Sequence, residues 1–150
     1  MIAVCQANRE DLFINIVGSG FVFCAAFSDK VIEHFMSPQN LGDMPDADSM
    51  GICGEPGCGD FLAIFIKVKD NVIADISFLV DGCVAAVASS SMATELAKGK
   101  TLDEAAQITD QDIVKALDGL PEHKLHCSVL GATALKNAIE NYYGAHELAK

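Results

Sequence analysis

The sequence predicts an α+β fold, a small antiparallel β-sheet packed with several α-helices. Two observations carry this. Residues 61–69 and 72–80 are aromatic and β-branched runs separated by Asp70-Asn71, a two-residue hairpin signal. From Val84 onward the pattern changes to helix, punctuated by Gly99, Gly119 and the cap-forming threonines Thr101 and Thr109.

The chain has 150 residues, of which 51 % are hydrophobic and 21 % charged, enough for one folded domain with a core of its own. Its net charge of −11 excludes nucleic acid as an expected partner, because phosphate binding needs a basic surface. An acidic surface suits a basic protein partner or the handling of metal cations.

Residues 1–27 are read as an N-terminal extension of uncertain structure. The apolar run 12–27 is shorter than the roughly 20 residues that span a bilayer. As a signal peptide it lacks a basic start, since Arg9 is followed by Glu10 and Asp11. Phe23-Cys24-Ala25-Ala26 is a faint match to a lipoprotein cleavage site. No membrane association is expected, and the domain proper is assigned to residues 28–150.

Ser28 is placed to cap a helix starting at Asp29, with Val31, Ile32, Phe35 and Met36 as its apolar stripe. His34 on that helix is read as structural. Residues 38–51 read as loop, rich in Pro, Asn, Asp and Gly. In the hairpin, Lys69 opposite Val72 sets a ladder which, carried outward, places Asp60 near Asp81 and Cys58 near Cys83. Cys58 and Asp60 then share a face, although a one-residue slip would reverse the faces. Residues 84–98 form a helix stopped by Gly99. Thr101-Leu102-Asp103-Glu104 is a capping box, and a further helix opens at Thr109. The last helix is expected over 128–143, burying Leu130, Ala134, Leu135, Ala138 and Ile139.

The chemistry gathers at cysteine. Six cysteines in a chain of this length are too sparse for a small disulfide scaffold, and several neighbour Asp, His or Gly, which reads as reduced, ligand-forming thiols in a cytoplasmic protein. Cys5 and Cys24 serve equally well as small buried hydrophobes. Cys58 lies in the loop Gly54-Glu55-Pro56-Gly57-Cys58-Gly59-Asp60, where Asp60 adds an oxygen ligand. Cys83 and Cys127 each open an expected helix, where unpaired N–H groups and the helix dipole favour thiolate. His126 offers an imidazole beside Cys127. Taken singly, His126 reads also as a capping or core histidine and Asp60 as a turn carboxylate. Three thiolates with a carboxylate or imidazole suit Zn²⁺ or the iron of an iron–sulfur cluster. A mixed ligand set differs from the all-cysteine cage of a permanent electron carrier and points to assembly and release.

These residues carry a resemblance. Cys58-Gly59-Asp60, Gly82-Cys83 followed by Ala88-Ser89-Ser90-Ser91, Lys98-Gly99-Lys100-Thr101-Leu102-Asp103-Glu104-Ala105, and Leu125-His126-Cys127-Ser128 resemble, in order and spacing, the IscU/NifU iron–sulfur scaffold family. Ser28-Asp29-Lys30-Val31 and Pro38-Gln39-Asn40-Leu41-Gly42 look like its N-terminal helix and loop, and Asp118-Gly119-Leu120-Pro121 is closest to the NifU N-terminal domain. The resemblance covers about residues 27–143.

It implies an assembly scaffold, not a turnover enzyme. A cysteine desulfurase would pass persulfide sulfur to Cys127. Iron held among Cys58, Asp60, Cys83, His126 and Cys127 would become a transient 2Fe–2S cluster, handed on to apo iron–sulfur proteins, with an electron-donating ferredoxin as a further partner. Asp60 would set how labile the cluster is, Zn²⁺ would be an alternative occupant of the apo-scaffold, and Lys124 matches a family lysine near the site.

There are departures. Cys53 adds a thiol five residues before Cys58, open to reading as sulfur acceptor, ligand or loop residue. Leu120-Pro121-Glu122-His123-Lys124 differs from the Leu-Pro-Pro-Val-Lys pattern of the family's Hsp70-type chaperone, so that partnership is not expected. Asp81 and Val84 flank Cys83 where an aromatic-Gly-Cys-Gly sequence is common. The alternative is a zinc-dependent sulfurtransferase of SufU type that activates a desulfurase. That branch carries an insertion between the second and third cysteines and lacks the histidine, features not found here. A third reading is a structural zinc domain used for protein binding.

Overall fold

The computed structural model describes residues 27–54 and 61–147. Helix α1 (Asp29–Met36) is followed by three strands, β1 (Ser49–Gly54), β2 (Phe61–Lys69) and β3 (Val72–Asp81), and then by helices α2 (Val84–Ala97), α3 (Leu102–Ala106), α4 (Asp110–Ala116) and α5 (His126–Glu147). A 3₁₀ turn, Glu122–Lys124, precedes α5. The strands form one antiparallel sheet in the order β1-β2-β3. This is the expected α+β architecture. The extension, with Cys5 and Cys24, lies outside the described residues apart from Phe27. Among the described residues no helix is long and apolar enough to cross a membrane.

Ser28 caps α1 as expected, accepting from the Val31 amide at 3.2 Å. Its hydroxyl also donates to the Leu117 carbonyl and so ties α1 to the end of α4. His34 is buried, with Nδ1 2.8 Å from Ser91 Oγ and Nε2 3.4 Å from a Glu95 carboxylate oxygen on α2. Its role is to pin α1 to α2. Asp70 and Asn71 both adopt positive φ, 53° and 62°, the geometry of the two-residue turn that matches strand twist. Both capping boxes form, at Thr101 with Glu104 and at Thr109 with Asp112.

The hairpin register departs from the simple ladder. Lys69 pairs with Val72 and Val68 with Ile73, but a bulge follows, and from Lys67↔Asp75 onward the pairing has shifted by one, ending at Phe61↔Asp81. The expected placement of Asp60 opposite Asp81 is thereby corrected: Phe61 holds that position. The cause lies in side-chain facing. Ile73 and Ile76 are both fully buried, yet they stand three residues apart, an odd spacing that regular alternation would send to opposite faces. One extra residue, the exposed Ala74, lets both point into the core.

Residues 38–51 are not all loop. Ser49–Gly54 is a strand paired with Phe61–Ile66, and Leu41 bridges to Phe78. Leu62, Ile64, Ile66, Ile76, Phe78 and Val80 turn one sheet face toward the helices and share a core with residues of α2 and α5. Helix α5 also lies along the outer margin of β1. There Asn137 Nδ2 donates to the Ile52 carbonyl and Asn141 Nδ2 to the Met50 carbonyl, each at 2.9 Å. The buried α2 and α5 approach closely where Gly131 meets Ser89 and Ala93: a Cβ on Gly131 would lie 3.2 Å from the Ala93 Cβ. Small residues at this crossing let the heads of both helices come together.

Candidate functional site

Strand β3 ends at Asp81 and α2 begins at Val84, so Cys83 occupies the short connection and serves as the N-cap of α2. Helix α5 starts at His126, two residues earlier than expected, which puts Cys127 in its first turn. The crossing of the two helices brings these heads into contact. Cys83 Sγ lies 3.6 Å from Cys127 Sγ, and His126 Nε2 lies 3.6 Å from Cys127 Sγ. Burial differs sharply across the pair: Cys127 is 0 % exposed, whereas Cys83 is half-buried. Leu125 and Val129, one helical turn apart, are exposed at 37 % and 48 % beside them.

The Cys83 thiol is pushed down from the usual 9.0 to about 5. The largest cause is the hydrogen bond with Cys127, opposed by burial; backbone amides of Ala86 and Ala85 at the head of α2 and the charge of Lys124 add to the lowering. The lowering favours thiolate at Cys83 at neutral pH, in hydrogen-bond contact with the Cys127 sulfur. The two sulfurs and the imidazole together form a soft, electron-rich group suited to sulfur exchange.

Cys53 behaves differently. It lies on β1 opposite Leu62, part-buried and packed against the core. Burial raises its thiol above the usual value, with an opposing contribution from the Gly54 amide. It stays protonated, which disfavours both ligation and nucleophilic attack.

Cys58 and Asp60 lie outside the described residues. The residues that bound their segment are paired with each other, Gly54 with Phe61, and Phe61 pairs with Asp81, two residues before Cys83. Among the described residues, no group of three or more His, Cys, Asp or Glu side chains is gathered into a set that could hold a metal ion. What the structure brings together of the expected set is Cys83, His126 and Cys127, with Lys124 close enough to act on Cys83 by charge.

The model of the NifU-like N-terminal domain matches residues 26–149. The chain belongs to the NifU-like N-terminal domain family. It is 56 % identical over 117 residues to the iron–sulfur cluster assembly scaffold protein IscU 1 of Archaeoglobus fulgidus, covering 78 % of this chain and 76 % of that one. To the IscU scaffold protein of Escherichia coli (strain K12) it is 44 % identical over 126 residues, covering 81 % and 98 %. Among solved structures, the N-terminal NifU-like protein of Brucella abortus superimposes with a TM-score of 0.60 at 20 % identity, over 78 % of this chain and 94 % of that one. A SUF-system scaffold described as putative, from Fervidobacterium islandicum AW-1, gives 0.62 at 20 % identity, over 77 % and 97 %. These last two establish the shared fold alone.

Proposed function

We propose that this protein is a scaffold on which iron–sulfur clusters are assembled and then passed to recipient proteins. The observation that carries the reading is the contact between Cys83 and Cys127 at the heads of two packed helices, in a chain of this family. The cluster is cargo, so the site must hold it without trapping it. In this reading Cys58, Cys83 and Cys127 supply soft sulfur ligands, while Asp60 and His126 supply harder, more easily displaced ones. Cys127 accepts sulfane sulfur from a cysteine desulfurase. Because Cys127 is buried, delivery requires movement of the exposed residues around it, Leu125, His126 and Val129. Iron then joins the sulfur as a 2Fe–2S cluster, with a ferredoxin as electron donor and Zn²⁺ as an alternative occupant of the empty site. The working location is the cytoplasm.

Relatives described as IscU scaffolds at 44–56 % identity favour this reading over the SufU-type sulfurtransferase, whose likeness here is one of fold. Anaerobic incubation with ferrous iron, cysteine and a cysteine desulfurase tests it. A visible charge-transfer spectrum that decays as an apo-ferredoxin gains its cluster is expected. Zinc that persists while desulfurase turnover accelerates, with no chromophore, would sink the scaffold reading.

A further inference from the structure

We propose that Cys83 and Cys127 act as a dithiol that reduces sulfane sulfur to sulfide within the scaffold, closing to a disulfide as they do so. The inference rests on the reading of Cys127 as sulfur acceptor and takes the electrons for sulfide from the two thiols in place of a ferredoxin. A sulfur delivered to a thiol arrives at the oxidation level of sulfane, two electrons above the sulfide that a cluster contains.

The geometry selects where the attack falls. In a persulfide on Cys127, the inner sulfur is Cys127 Sγ itself, and Cys83 Sγ already lies 3.6 Å from that position. This is close to the roughly 3–3.5 Å separation of a near-attack arrangement. Once the residues around Cys127 have closed again after delivery, Cys127 has no exposed surface and the thiol in contact with it is Cys83, in the connection between β3 and α2. Attack on the inner sulfur also expels hydrosulfide, a good leaving group because it is weakly basic.

The step balances. Cys83 attacks as its thiolate, and its sulfur bonds to Cys127 Sγ, whose outer sulfur carries the proton of the persulfide. The bond between Cys127 Sγ and the outer sulfur breaks, and that electron pair leaves with the outer sulfur as hydrosulfide. The sulfane sulfur gains two electrons, and the two cysteine sulfurs together lose two. Closing the disulfide brings the sulfurs from 3.6 Å to about 2.05 Å, a small movement for side chains at two helix heads. A low-molecular-weight thiol then reduces the disulfide and restores both ligands. Sulfide production and cluster binding thus alternate on the same pair.

The test uses the full chain, metal-free and anaerobic, with a cysteine desulfurase preloaded as its persulfide and stripped of free cysteine. The wild type is expected to release sulfide without added reductant and to yield a peptide pair cross-linked Cys83 to Cys127 on mass spectrometry. In Cys83→Ser and in Cys83→Ala, each checked for native circular dichroism, the extra sulfur should stay on Cys127 and sulfide release should slow by ~100-fold or more. A wild type that keeps the sulfur on Cys127 as long as the variants do, or that releases sulfide only when a reduced ferredoxin is added, overturns the dithiol proposal and leaves the scaffold reading intact. Absence of any sulfur adduct on Cys127 in all three proteins overturns the acceptor role of Cys127, and this proposal with it.

Discussion

The Cβ that Gly51 lacks would lie 2.1 Å from the carbonyl oxygen of Ala134, and 2.2 Å from the amide nitrogen of Ala138. Strand β1 and helix α5 thus meet backbone to backbone, and only glycine permits it. Both contacted atoms are main chain, so no rotamer change relieves the clash. Gly51→Ala should cost at least ~2 kcal/mol of stability, read as a lower urea midpoint. A midpoint within error of wild type would show that α5 does not seat on β1 as described.

The lowered Cys83 thiol gives a pH signature. Its folded-state value of about 5 against the usual 9.0 means that the thiolate is favoured by folding; the stabilisation is full above pH 9 and is lost as pH falls through 5. Iodoacetamide labelling of Cys83 should therefore be at its plateau at pH 7 and fall away only near pH 5. Removing the largest cause by Cys127→Ala, or the added charge by Lys124→Ala, should move that midpoint upward. A wild-type midpoint near 9 would remove the thiolate from the site.

Asp60→Ala addresses lability. On the proposed role of Asp60 as a displaceable oxygen ligand, its loss should lengthen the lifetime of the assembled cluster and slow its transfer to an apo-protein, both followed by visible absorption. An unchanged lifetime counts against the role given to Asp60.

The capping boxes offer a control that shares no contact with the cysteine pair. Thr101→Ala and Thr109→Ala each remove a side-chain acceptor at a short helix, for about 1 kcal/mol apiece in chemical denaturation. Assembly on the scaffold should be unaffected below the melting range.

What was legible in the sequence was local. The turn at Asp70-Asn71, the caps at Ser28, Thr101 and Thr109, and the helix heads at Cys83 and Cys127 all follow from short-range rules. Strand β1 did not, because Met50-Gly51-Ile52-Cys53-Gly54 has weak strand propensity and is held by pairing with β2 and seating on α5. The bulge was signalled by Ile73 and Ile76, whose spacing breaks a period of two, but the turn alone suggested an unbroken ladder. The contact between Cys83 and Cys127 comes from helix crossing at Gly131, a long-range event that neither motif encodes by itself. The expected partners Cys58 and Asp60 lie outside the described residues.

The asparagines on α5 have a consequence for recognition. Asn137 and Asn141 occupy the outward carbonyls of β1, while Asn40 and Gly42 exchange backbone hydrogen bonds with Phe78 on the far margin of β3. Both borders of the sheet are thus taken over these stretches. A partner protein meeting this scaffold there finds the Met50 and Ile52 carbonyls, and the Phe78 amide and carbonyl, already bonded where an extra strand would pair. These bonds favour docking through side chains at those places and disfavour copies of the chain stacking edge to edge.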